Sequence, residues 1–133
     1  MPVPDFPAFT RFLGVNVLHR SPERTEAELT VREELCNRRG VLHGGAMMAL
    51  GDTLGGMTAS ISLPDGGRTA TIESKTNFFA AVPKGDTARA VTTPLHIGRT
   101  TIVMQTNITR GDGRLAAITT QTQIVLPIEA PPE

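Results

Sequence analysis

Between residues 24 and 32 the chain alternates, with Thr25, Ala27, Leu29 and Val31 on one side and Arg24, Glu26, Glu28, Thr30 and Arg32 on the other. A period of two marks a strand with one buried face. The stretch 46–61 is different: it is rich in Ala, Met and Leu and too long for an ordinary strand, so it predicts a helix, ended by Pro64, Asp65, Gly66 and Gly67. Upstream, Pro2, Pro4 and Pro7 predict an irregular start, and Phe6, Phe9, Phe12 and Leu13 fall at helical spacing before Gly14, predicting a short helical segment within 1–13. A strand is expected over 15–19, a turn at Ser21 and Pro22, and a polar loop containing Gly40 over 33–41. Downstream, strands are expected over 69–79, 87–95, 99–109 and 115–126, with turns at 83–86 and 111–113. On 99–109 the apolar face holds Ile102, Met104 and Ile108; on 115–126 it is expected to hold Ala116, Ile118, Ile124 and Leu126. The tail, 127–133, is expected to fray.

The order is short helix, two strands, one long helix, four strands, with no internal repeat and no linker. This predicts an α+β fold, one antiparallel sheet against one central helix, in a single domain over 1–133. Gly51, Gly55 and Gly56 interrupt the long helix, each at about 1 kcal/mol relative to Ala; close approach of the sheet to the helix backbone would account for them.

Composition narrows the function. Thirteen basic and thirteen acidic residues cancel, and there are five Phe but no Trp or Tyr. Neither the basic footprint nor the stacking platforms of a nucleic-acid binder are present. Cys36 is the one cysteine, so no internal disulfide forms and a reducing, cytoplasmic setting is expected. The first residues have no basic region followed by an apolar run, and the uncharged stretch 44–64 is broken by Asp52 and by glycines, so neither a signal peptide nor a membrane span is expected.

Asp52 is the only charge between Gly44 and Leu63. A carboxylate on an apolar helix must be paired, hydrogen-bonded or at the helix margin; functional carboxylates are often found this way, and so are partly solvated ones. Leu42-His43-Gly44-Gly45 precedes the helix, where free N–H groups and the helix dipole can hold a developing oxyanion, or where the glycines merely allow a tight turn. His43 can act as a base or order the loop, and the loop-ordering role is the simpler. Asn37 can hold water or a carbonyl, or close its turn. Cys36 has no base partner nearby and reads as a small packed residue. There is no G-x-S-x-G elbow, no phosphate-binding loop and no zinc-like spacing, so no metal and no redox cofactor are expected.

The stretch from Asn37 through Gly40, His43, Gly44 and Gly45 to Asp52, with Asp52 nine residues after His43, resembles the hotdog-fold acyl-CoA thioesterases of the phenylacetic acid degradation (PaaI-like) family. The segment 71–79 with Gly85, and Gly98-Arg99-Thr100 before the last hairpin, are similar to that family in style; the resemblance covers about 12–126. It implies a curved antiparallel sheet wrapped around one long helix, and subunits that pair their sheets as homodimers, often doubled into homotetramers. The active site would lie at the dimer interface. It also implies roles. Asp52 would be nucleophile or general base, supplied by the partner of the subunit that supplies Asn37 and Gly45. The Gly45 N–H would polarise the thioester carbonyl, beside Gly44. Asn37 would position water or thioester, and Thr71, or Thr69 if the alignment slips, would assist the water. His43 would order the loop.

Coenzyme A is part of such a substrate, so no separate cofactor is implied; its phosphates call for basic or polar groups such as Arg99, Thr100, Lys84, Arg89 and Arg110, though any of these can be plain surface residues. Competing readings are a non-catalytic acyl-CoA-binding hotdog protein, a hotdog dehydratase, for which no G-D-x-N-P run is present, and a structural dimer, which leaves Asp52 unexplained. Alternation places Glu73 on the same strand face as Thr71, lining the site or pairing with Lys75. Met47, Met48, Leu54, Met57, Phe78 and Phe79 are expected to shape an acyl pocket or the core.

Overall fold

A computed structural model describes residues 6–128. Helix α1 (Ala8–Leu13) ends at Gly14, which turns left-handed at φ 78°, a conformation that favours glycine, and donates its N–H to the Arg11 carbonyl. Strands β1 (Asn16–Arg20) and β2 (Thr25–Thr30) follow, then a 3₁₀ turn (Glu33–Leu35). The long helix α2 (Gly44–Ile61) precedes β3 (Arg68–Phe78), β4 (Thr87–Ile97), β5 (Thr101–Thr109) and β6 (Leu115–Leu126). The expected order is therefore present. The expected irregular start at Pro2 and Pro4, and the tail beyond residue 128, lie outside the described residues.

All six strands form one antiparallel sheet in the order β1-β2-β4-β5-β6-β3, and α2 lies across β2 to β6. β2 buries the side predicted from its alternation, Thr25, Ala27, Leu29 and Val31. Ala27, Leu29 and Val31 join Leu50 and Leu54 of α2, Ala88 and Ala90 of β4 and Ile108 of β5 in the main core. Met47 and Leu54 belong to this core, whereas Met48, Phe78 and Phe79 are exposed.

The face of β6 corrects the expectation. The side chains turned toward α2 are Ala117, Thr119, Gln121 and Gln123, paired in register with Ile108, Thr106, Met104 and Ile102; Ile124 is exposed and Ile118 and Leu126 only half-buried. Ala116 is also buried, because the ladder slips there and turns two neighbouring residues inward. Polar residues are tolerated under the helix because each has a hydrogen-bond partner, on the helix backbone or on a neighbouring strand. Gln121 donates to the Gly51 carbonyl at 2.8 Å, and Thr119 pairs with Thr76 at 2.7 Å. Gly51 and Gly55 leave the room: a Cβ at Gly51 would stand 2.8 Å from Thr119 Oγ1, and one at Gly55 would overlap the Gln121 amide. Gly56 faces open space, so close approach accounts for two of the three helix glycines.

Besides β6 at Ala116, three strands carry one extra residue. Register passes over Leu18 in β1, Ile72 in β3 and Leu95 in β4, and all three are exposed. The bulge at Ile72 overturns the placement of Glu73. Thr71 pairs with inward-facing Gln123, but Glu73 pairs with Thr122, its outward neighbour, so Glu73 and Thr71 are on opposite faces.

Candidate active site

Helix α2 begins at His43, whose ring does the capping. His43 Nδ1 accepts the Gly45 N–H at 2.8 Å, and the His43 carbonyl accepts from Ala46 and Met47. The ring nitrogen facing Gly45 is thus unprotonated, and His43 orders the loop. The same bond engages the N–H of Gly45, the donor expected for the oxyanion, within its own chain. The Gly44 N–H has no acceptor among the described residues.

Gly44 shares a cleft of about 360 Å³ with Asn37, Met47, Phe78 and Phe79. Asn37 is held by its turn, its amide oxygen accepting from the Arg39 N–H at 2.9 Å and the Val41 N–H at 3.4 Å. That leaves the amide NH₂ as the end available for a carbonyl or water. Lys84 is beside this loop, its N–H bonded to the Gly40 carbonyl and its Nζ 3.9 Å from Glu33. Gly45 and His43 face a different hollow, with Phe9, Phe12 and Cys36.

Asp52 lies two turns further along α2, at its exposed margin over β3. Thr71 Oγ1 donates to Asp52 Oδ1 at 2.7 Å and accepts from Gln123 Nε2 at 2.6 Å. Thr71, rather than Thr69, is therefore the hydroxyl on the carboxylate, although Thr69 lines the same cleft of about 340 Å³ together with Gly56, Met57 and Ser60. Gln121 and Gln123, each 1% exposed, escaped the sequence reading because two glutamines in a strand look like a solvent face. The glycines of α2 were the signal: something other than a bulky apolar side chain had to meet the helix at Gly51 and Gly55.

Arg99 and Thr100 lie in the exposed turn between β4 and β5, where the Thr100 carbonyl accepts from the Val125 N–H at 2.9 Å. They are outside both clefts. Arg89 pairs with Glu26 at 3.1 Å and Arg110 with Asp112 at 3.1 Å, and both line a separate hollow with Glu28 and Thr87. Among the described residues no group of three or more His, Cys, Asp or Glu side chains converges, and no helix is long and apolar enough to cross a membrane.

One chain thus carries a helix carboxylate held by a threonine and, about 12 Å away by helix rise, an unused N–H at the helix start beside an asparagine amide. The family description "Thioesterase superfamily" matches residues 39–117, which contain Gly44, Asp52 and Thr71 and begin two residues after Asn37. The chain belongs to the thioesterase superfamily. It is an enzyme, a thioester hydrolase of hotdog fold. The thioesterase is similar to the proofreading thioesterase EntH of Cronobacter turicensis, 34% identical over 87 residues that make up 65% of this chain and 63% of EntH. A solved thioesterase of Haemophilus influenzae superposes with TM-score 0.86 at 26% identity, over 92% of this chain and 85% of that one. The phenylacetic acid degradation protein PaaI of Thermus thermophilus, in a mutant structure, superposes with TM-score 0.83 over 90% of this chain and all of that one; at 23% identity this is a likeness of fold.

Proposed function

We propose that this thioesterase hydrolyses acyl- or aryl-acyl-coenzyme A to the free acid and coenzyme A, in the cytoplasm, at a site shared between two copies of the chain. The observation that carries the reading is the Thr71–Asp52 pair, an exposed carboxylate held at one oxygen and separated from the Gly44 N–H and the Asn37 amide. A reacting carbonyl must have its carbon near the carboxylate or its water and its oxygen on the donors, within about 3 Å of each. Eight residues of helix put these groups about 12 Å apart in one chain, so the donors and the carboxylate of a working site come from different chains.

β3 is the natural seam. It is an edge strand of eleven residues, and edges of that length are usually covered or paired. Antiparallel pairing of two β3 strands about a twofold lays the Thr69–Thr71 half of one beside the Ser74–Phe78 half of the other. Asp52 stands over the first half and the Gly44–Asn37 cleft adjoins the second. A homodimer formed this way assembles two sites, and two dimers can join as a tetramer.

In such a site Asp52 either takes a proton from the attacking water or attacks the carbonyl carbon itself, and water then hydrolyses the acyl–enzyme anhydride. In both forms the C–S bond breaks and the coenzyme A sulfur leaves as thiolate and takes up a proton. The helix start at Gly44 and the Asn37 amide hold the carbonyl oxygen, with His43 keeping the loop in place and Gly45 bound to it. Lys84 beside the Asn37 loop, and the exposed turn with Arg99 and Thr100, are the groups assigned to the coenzyme A phosphates. The reading calls on no metal and no cofactor beyond the coenzyme A of the substrate.

Thiol release from a panel of short, medium, long and aromatic acyl-CoAs tests this, run on wild type and Asp52→Asn together. Hydrolysis by wild type and loss of about a hundredfold or more in kcat by the folded variant is expected. Equal activity of the two proteins would sink the role of Asp52; hydrolysis of other thioesters but of no acyl-CoA would sink the substrate class.

A further inference from the structure

We propose that Gln123 is a positioning residue that sets the direction of the hydrogen bond to Asp52, and that Gln121 anchors it; the proposal rests on the reading that Asp52 acts on the thioester. Four hydrogen bonds form a chain whose polarity can be read from one end. The Gly51 carbonyl can only accept, so the Gln121 group facing it at 2.8 Å is the NH₂. The Gln121 Oε1 is then the acceptor for the Gln123 NH₂, which donates to it. The second N–H of that NH₂ donates to Thr71 Oγ1 at 2.6 Å. Having accepted there, Thr71 turns its hydroxyl proton to Asp52 Oδ1 at 2.7 Å. No link can be reversed without leaving two donors or two acceptors face to face, and at the buried glutamine links that is a loss comparable to a missing hydrogen bond.

The chain starts and ends on neighbouring residues of α2, Gly51 and Asp52. It is a closed loop through β6 and β3, so the carboxylate is referenced to its own helix backbone. The consequence for the reaction is a choice of oxygen: Oδ1 is held, and Oδ2 is left to meet the water or the thioester carbon. Gln123 lines the edge of the same cleft and is linked to Asp52 through Thr71.

Gln123→Met keeps the length of the side chain and removes its donors. In the wild-type background kcat is expected to fall about tenfold to a hundredfold with KM little changed. In a Thr71→Val background the same substitution is expected to add nothing, because the route to Asp52 is already cut. Gln123→Glu is the second variant: of nearly the same shape, it offers an acceptor where Thr71 needs a donor, and is expected to lose kcat in the same way. Wild-type kcat in Gln123→Glu, or a Gln123→Met loss that multiplies with that of Thr71→Val, overturns the proposal. Asp52→Asn run alongside separates the two readings. If Asp52→Asn keeps wild-type kcat, the carboxylate reading falls and this proposal with it; if Asp52→Asn is inactive and both Gln123 variants are fully active, the proposal alone falls.

Discussion

Gly55 lies so close to Gln121 that a single added methyl would overlap the amide. The amide cannot simply swing aside, because it is bonded to the Gly51 carbonyl at 2.8 Å. Gly55→Ala is therefore expected to destabilise the protein by about 1–3 kcal/mol through overpacking, in spite of alanine's better helix propensity. Gly56→Ala, with no heavy atom within 4 Å of the new methyl, is expected to stabilise by up to about 1 kcal/mol. Urea unfolding of both variants checks the pair; equal midpoints would show that the helix–sheet approach at Gly55 is not a constraint.

Thr71 gives the carboxylate its one hydrogen bond among the described residues. Thr71→Val removes the donor and keeps the shape, and is expected to lower kcat about tenfold, while Thr71→Ser keeps most of it. Steady-state rates on the best acyl-CoA decide. A valine variant as fast as wild type would leave the hydroxyl without a part in the reaction.

His43 accepts from Gly45 and so caps α2. His43→Ala is expected to cost about 1 kcal/mol of stability, and His43→Asn, which can still cap, less. Activity of His43→Asn should stay well above that of Asp52→Asn. Were the two equally inactive while folded, the imidazole would have to be counted among the reacting groups.

Mixing subunits tests the shared site directly. Asp52→Asn and Asn37→Ala, each nearly inactive alone, are expected to recover about a quarter of wild-type activity when unfolded and refolded together, since half of random dimers are mixed and each has one intact site. If carboxylate and donors served the same chain's site, the mixture would recover nothing.

Much of the frame was legible in the sequence, because β2 and β5 alternate and α2 has helical length and composition. Asp52 stood out as the lone charge of its helix. The face of β6 was not legible: pattern reading assigns isoleucine inward and glutamine outward, and here the glycines of α2 leave room for polar side chains that find partners in the Gly51 carbonyl and in Thr71 and Thr76 of β3. Glu73 was misplaced for a different reason, since a bulge leaves no mark in a row of polar and β-branched residues, and one extra residue inverts all the faces after it. Which of Gly44 and Gly45 has the unused N–H depended on where the His43 ring turned, a rotamer question that no spacing encodes.

The bulge in β3 also bears on how this strand tolerates changes of length. Thr71 pairs with Gln123 and Glu73 with Thr122, as if Ile72 were absent, and Ile72 itself is 58% exposed. A deletion anywhere else in β3 shifts a stretch of the strand onto the wrong side. Loss of Ile72 alone would leave every other side chain facing as it does now and remove only the local kink. Within β3, single-residue gaps between this chain and functional descendants should therefore collect at this position.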